Sequence, residues 1–290
     1  MLKFLKNWTL PLAMFAGAIG YFLLANVTIL EPAKPFVNWL IAVLTPFLIF
    51  AQLLLTFCKI EPKELLPKAW HVWLLSIQAV SSGIIALLLI FCPMEEAYRD
   101  IFEGAMVCLI CPTATAAAVI TGKLGGSAST LTTYTLLWNV LAAIAVPLVF
   151  PLVEPHADIT FVVAFLKILS KVFPLLLAPF FIALLFRYYI PSVHRLLSKY
   201  HGVAFYLWAV ALTIVTGQTV RSLVTAAADV SIEIMIALAG LATCCLQFYF
   251  GKRIGSAYHD RISAGQALGQ KNTVLDGSDL SQSFIVCRSR

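Results

Sequence analysis

Runs of about 20 apolar residues recur along this chain, and only short polar stretches separate them. A helix needs about 20 residues to cross the hydrocarbon core of a bilayer, where backbone groups must be satisfied internally. Nine such segments can be marked, at 9–30, 36–58, 69–92, 98–121, 125–153, 161–189, 203–225, 230–251 and 256–275. Composition agrees: 61% of the 290 residues are hydrophobic and 12% charged, with mean hydropathy +0.92, whereas soluble domains carry about 25% charged residues. The expectation is an all-α polytopic membrane protein, one transmembrane domain over residues 1–290. The first run follows Lys3 and Lys6 but lacks a small-residue cleavage site, so it reads as a span and not a signal peptide.

Basic residues set the orientation of such a chain. With a cytoplasmic N-terminus, the inner side receives Lys3, Lys6, Lys59, Lys63, Lys68, Lys123, Arg187, Arg195, Lys199, Lys252 and Arg253. The outer side receives only Lys34, Arg99 and Arg221. Eleven against three predicts the N-terminus inside, and the expected location is the cell inner membrane. The net charge of +6 is spread over loops and forms no nucleic-acid stripe; the bilayer is the expected macroscopic partner. Five spans precede "EPHAD" and four follow it. An odd number per half makes two halves inverted repeats, the usual design of a secondary transporter. The first repeat is placed at 1–158 and the second, incomplete, at 159–275, with a polar tail at 276–290.

Two spans are unusually polar. The fourth, "MVCLICPTATAAAVITGKLGG", contains Pro112, which cannot donate a backbone hydrogen bond, followed by Thr113, Thr115 and Thr121. Threonines bonded back to their own helix are the plainer account of that stretch. The ninth, "SAGQALGQKNTVL", contains Gly265, Gly269, Gln270, Lys271 and Asn272. Interrupted spans at matching positions of two halves point to a midplane binding site, with breaks expected at Pro112, Gly265 and Gly269. A lysine in mid-span costs about 2.5–3.5 kcal/mol on insertion scales, so Lys271 is the prime functional candidate. Helix N-termini at the breaks would favour an anionic ligand.

"CPTATAAAVIT" and "LGQKNTVL" resemble the broken-helix motifs of the bile acid:sodium symporter family. The resemblance implies a ten-span, 5+5 inverted-repeat transporter in which two broken helices cross beside the substrate and sodium sites. Cys111, Pro112, Thr115 and Ala116 match the family pattern, Thr135 matches a threonine ligand, and Gln78 stands near a glutamine ligand. The remaining sodium ligands are gone: Ala117, Ala118, Leu131 and Ala267 replace side chains that would bind the ion, and Lys271 replaces a glutamine. Two lost cations and one lost glutamate, with one lysine gained, leave the region at the same net charge of about +1. The resemblance therefore implies sodium-independent transport of a small organic anion, with Lys271 as a tethered cation. Gln78, Thr113, Thr115, Thr135, Gln270, Lys271 and Asn272 would bind the substrate, with no metal and no cofactor. Protons become the coupling partner if Lys271 deprotonates during the cycle; otherwise the protein is a facilitator or exchanger.

Other polar residues have plainer readings. His259, Asp260 and Arg261 form a cluster at an interface. Lys167 and Lys171 snorkel from one helix face. Glu95, Glu96 and Asp100 are solvated near a mouth, while Trp138 and Asn139 line the cavity or join helices. The seven cysteines lie mostly in apolar runs and read as small buried residues, the C-x-x-C at Cys108 and Cys111 included. No H-E-x-x-H, no G-x-S-x-G and no carboxylate pair within a span points to an enzyme. Two alternatives stand beside the transporter: a non-transporting receptor of the same fold, and an arsenite-type carrier acting through a thiolate such as Cys111. The tail "DGSDLSQSFIVCRSR" is too polar to span. With suitable codons, a shifted frame over it reads as an apolar continuation, so a frameshift is expected to have removed the tenth helix.

Overall fold

The computed structural model describes residues 8–59, 61–114, 117–154, 160–199, 203–225 and 230–271. The tail at 276–290 thus lies outside the described residues. Among them there are eleven α-helices and no β-strand: α1 Thr9–Asn26, α2 Lys34–Lys59, α3 Ala69–Phe91, α4 Glu96–Ile110, α5 Ala117–Lys123, α6 Ala128–Val153, α7 Phe161–Tyr189, α8 Pro191–Lys199, α9 Val203–Thr225, α10 Val230–Ala257 and α11 Arg261–Gly269. Seven of these, α1, α2, α3, α6, α7, α9 and α10, are long and apolar enough to cross a membrane. The fourth predicted span is instead two shorter helices, α4 and α5, and the ninth is the short helix α11.

Three features of the helices differ from the sequence expectation. The first span ends at Asn26, because Val27 turns extended and a 3-10 turn at Thr28–Ala33 follows. The eighth runs to Ala257, past the charged Lys252 and Arg253, and the ninth starts at Arg261 and not at 256. Exposed charges at a helix end need not stop the helix: the Lys252 ammonium lies 5.7 Å from the Phe248 ring one turn away. The third difference is α8, an amphipathic helix where a loop was expected. It is seated on α2 through Ser198 Oγ, which donates to the Cys58 carbonyl at 2.8 Å. Partial burial there, together with Arg187, holds the His194 imidazole below its ordinary range.

The helices pack in two sets. In one, α9 lies against α1 and α2, and α2 against α7. In the other, α4 lies against α3 and α10, α10 against α11, and α6 touches α3, α5 and α11. The sets are joined mainly where α6 runs into α7. The second set holds the densest core, with Trp70, Leu74, Met106, Tyr134, Trp138 and Leu268 sealed from solvent.

Small residues decide how closely α10 and α11 approach. A Cβ on Gly251 would sit 2.6 Å from the Ala264 carbonyl oxygen, and one on Gly269 would fall 2.4 Å from the Phe248 ring. Gly265 likewise faces the Lys252 stem, at 2.7 Å from an added Cβ. Gly265 therefore lies inside α11 as a packing residue, while Gly269 closes that helix; the chain leaves helical form at Gln270.

Candidate functional site: the crossing of two interrupted spans

The interruption in the fourth span follows from Pro112. Helix α4 ends at Ile110, two residues before it, and Cys111 turns extended at ψ 141°. An α-helix leaves its last four carbonyls without intrahelical partners, and inside a membrane each must find another donor. Here every one does. Cys111 N–H donates to the Val107 carbonyl at 3.0 Å, and Gln247 Nε2 from α10 donates to Cys108 at 3.2 Å. Gln78 Nε2 from α3 donates to Leu109 at 2.7 Å. Trp138 Nε1 from α6 is shared between Ile110, at 3.2 Å, and Cys111, at 3.1 Å. Tyr134 OH completes the group by donating to Gln78 Oε1 at 2.5 Å. Three neighbouring helices thus hold this break open.

The second interruption meets the first. Thr113 and Lys271 form an antiparallel backbone bridge. Ala114 N–H donates to the Gln270 carbonyl at 3.0 Å, and Thr113 Oγ1 donates to the Ala267 carbonyl at 3.0 Å. The backbone groups freed in one broken span are therefore satisfied by the other. Of the described half-helices, α4 and α11 bring their C-terminal ends to this place, and α5 starts beside it at Ala117 with its N-terminal end. Helix N-termini were the expected source of positive field; α5 presents one, while α4 and α11 present carbonyl ends, which favour a cation. The positive charge at the crossing is the Lys271 ammonium.

That ammonium is unmatched. Residue 271 as a whole is half-buried, but its Nζ is sealed from solvent and has no hydrogen-bond partner among the described residues. It lies 5.7 Å from the centroid of the Trp138 ring, within cation–π reach. The ionisable groups that act on it are the thiols of Cys111, Cys108 and Cys244. Gln270 Oε1 and both side-chain polar atoms of Asn139, the residue after Trp138, are also buried without partners. An unpaired buried polar group costs about 1–3 kcal/mol, and a charge more. The unmatched Lys271 Nζ and Gln270 Oε1 stand side by side in the chain where α4 and α11 meet, which makes this place a candidate site for a polar ligand.

The candidate residues fall into three groups. Pro112, Thr113, Gln270 and Lys271 come together at the crossing. Gln78 is adjacent, but both ends of its amide are engaged with protein groups. Thr135 is buried on α6 with its hydroxyl proton bonded back to the Leu131 carbonyl at 3.1 Å, which leaves its oxygen as an acceptor. Thr115 and Asn272 lie outside the described residues. Sequence reasoning missed Gln247 and Tyr134; Gln247, a buried amide in an otherwise apolar span, was the legible signal. The cluster at His259, Asp260 and Arg261 includes a clamp: Asp260 accepts from Lys68 Nζ at 3.0 Å and from Thr130 Oγ1 at 3.3 Å, while His259, at φ 56°, makes the turn. The carboxylates expected near a mouth include one not singled out, Glu103, paired with Arg99 at 2.8 Å. Among the described residues no group of three His, Cys, Asp or Glu side chains is placed to hold a metal ion. Compared with known proteins, the chain matches no family model and no curated protein.

Proposed function

We propose that this protein is a secondary transporter of a small organic anion, of the bile acid:sodium symporter type, with the crossing of α4 and α11 as its binding site. The observation that carries the reading is the buried, unpartnered Lys271 ammonium where two interrupted spans meet. A fixed cation there serves an anion that comes and goes, and takes the place that exchangeable sodium would otherwise fill. On this reading transport is independent of sodium, and the membrane is the inner membrane with the N-terminus inside.

The helix neighbours support an inverted repeat. Exchanging α1 with α7, α2 with α9, α3 with α10 and α4 with α11 turns the pair α1–α9 into α2–α7. The same exchange turns α3–α4 into α10–α11, and α4–α10 into α3–α11. All of these pairs are in contact. The two sets, joined through α6 and α7, are what a rocking mechanism requires, because one set can turn against the other with the crossing carried in the second.

The test begins with a thermal-shift screen of bile acids, pantoate and keto acids on the purified protein. Counterflow of any labelled hit is then measured in proteoliposomes, in sodium and in choline buffers. Counterflow equal in both buffers, and lost in Lys271→Gln, is expected. Binding without counterflow would instead identify a receptor, and several-fold stimulation by sodium would overturn the tethered-cation reading. Undiminished counterflow in Lys271→Gln with loss in Cys111→Ser would favour the thiolate carrier.

A further inference from the structure

Away from the crossing, in the other set of helices, α1, α2 and α9 enclose a cavity of about 660 Å³. That volume lies within the range of about 300–1,000 Å³ usual for ligand sites. Its existence follows from the packing. Helix α9 lies against both α1 and α2. The contact with α1 is set by two glycines: a Cβ on Gly17 would fall 2.2 Å from the Thr213 carbonyl oxygen, and one on Gly217 3.1 Å from the Gly17 carbonyl oxygen. The α1–α2 pair has no comparable contact along its length, so a wedge is left between them. Small residues such as Ala16, Gly20 and Ala42 line it and do not fill it.

The polar residues of the cavity gather at one end. Lys34 and Asn38 lie one turn apart on α2, and Gln218 and Arg221 one turn apart on α9. Arg221 Nη1 donates to Asn38 Oδ1 at 3.0 Å, which joins the two helices. Among the described residues the Arg221 guanidinium meets this neutral amide and no carboxylate. Among the described residues Lys34 pairs with the neighbouring exposed Glu31 alone, at 3.4 Å, and Gln218 Oε1 is a buried acceptor without a donor. Below this end, the walls run roughly 12 Å along α9 toward Thr213 and are apolar, with Leu24, Ile41 and Ile214 among them.

We propose that this cleft is a binding site for an anionic phospholipid whose headgroup also carries hydroxyl groups, of the phosphatidylglycerol class. The lipid enters from the leaflet at the C-terminal end of α1. The phosphate takes the place between Arg221 and Lys34, a headgroup hydroxyl donates to Gln218 Oε1, and an acyl chain follows the apolar wall between α1 and α2. Arginine suits the phosphate because its planar fork can donate two parallel hydrogen bonds. The site stands on residues remote from Lys271 and does not depend on transport.

The glycines supply a clean test. Nothing lies within 4 Å of a Cβ added at Gly20, which lines the cavity, or at Gly83, on α3 and outside it. Gly20→Leu fills the cleft, and Gly83→Leu is the matched control. Native mass spectrometry of the full chain in zwitterionic detergent would titrate phosphatidylglycerol, phosphatidylcholine and decanoate. Wild type and Gly83→Leu are expected to bind phosphatidylglycerol at least about tenfold more tightly than phosphatidylcholine, a difference of about 1.4 kcal/mol. Arg221→Gln and Gly20→Leu should lose that preference, and Arg221→Lys should retain most of it. An undiminished preference in Arg221→Gln or Gly20→Leu would overturn the proposal. So would saturable binding of decanoate that phosphatidylglycerol does not displace, which would assign the cleft to a soluble amphiphilic acid.

Discussion

At the scale of single residues, the energetics of the crossing turn on which polar groups are matched. Lys271 is not, and its side chain is of a length that methionine can replace. Lys271→Met should therefore raise the thermal midpoint of the ligand-free protein by a few degrees, since it removes an unpaired buried charge worth at least about 1–3 kcal/mol. The same variant should lose anion binding, the usual exchange between stability and function. A lowered midpoint in Lys271→Met would mean that the ammonium has a partner in the ligand-free state. Gln78 is the opposite case, because it satisfies Leu109 and accepts from Tyr134. Gln78→Leu should cost about 2–3 kcal/mol, and Tyr134→Phe less. Their double variant should cost less than the sum, since the two side chains share one hydrogen bond. Denaturation midpoints of the four proteins test the coupling; strict additivity would remove it.

At the scale of elements, the hairpin of α10 and α11 places Gln270 and Lys271 against Thr113 and Ala114. Its closeness depends on backbone meeting backbone. Gly251→Ala would push a methyl group to 2.6 Å from the Ala264 carbonyl, and neither backbone can yield without moving a helix. A cost of about 1–3 kcal/mol is expected, together with weakened anion binding, because α11 carries half of the crossing. Gly83→Ala provides the contrast. An added Cβ there meets nothing within 4 Å, and replacing a mid-helix glycine gains up to about 0.5–1 kcal/mol. Thermal midpoints should move in opposite directions; equal losses would show that both respond to something other than the close approach.

At the scale of the whole molecule, the positive-inside bias predicts which helix ends face which side of the membrane. Cys92, exposed just beyond α3, should face outward. Lys199, at the end of α8, should face the cytoplasm. In a Cys287→Ser background, a membrane-impermeant maleimide applied to intact cells should label the parent but not its Cys92→Ser variant. With Cys92 removed, Lys199→Cys should react only after permeabilisation. The reverse pattern would invert the molecule. The division into two helix sets also explains why the crossing and the α1–α2–α9 cleft can be separate sites: they belong to different sets.

How much of this was legible beforehand depends on whether the cause is local. The seven long apolar helices were, because hydrocarbon demands about 20 apolar residues per crossing whatever the neighbours do. The break at Pro112 was too, since a proline removes its own donor wherever it stands. The end of α10 was misplaced because Lys252 and Arg253 look like a terminus but lie on an exposed face, where charge leaves the helix intact. The roles of Gly251, Gly265 and Gly269 needed the partner helix, for a missing Cβ acquires meaning only when another chain segment comes close. Polar composition marked Thr113 and Lys271 as candidates, but their pairing joins residues far apart in sequence. Only the tertiary structure decided which hydrogen-bonding groups were left over. That remainder exists only after Gln78, Trp138 and Gln247 have satisfied α4, and among the described residues it includes the buried Lys271 ammonium without an acceptor and Gln270 Oε1 without a donor.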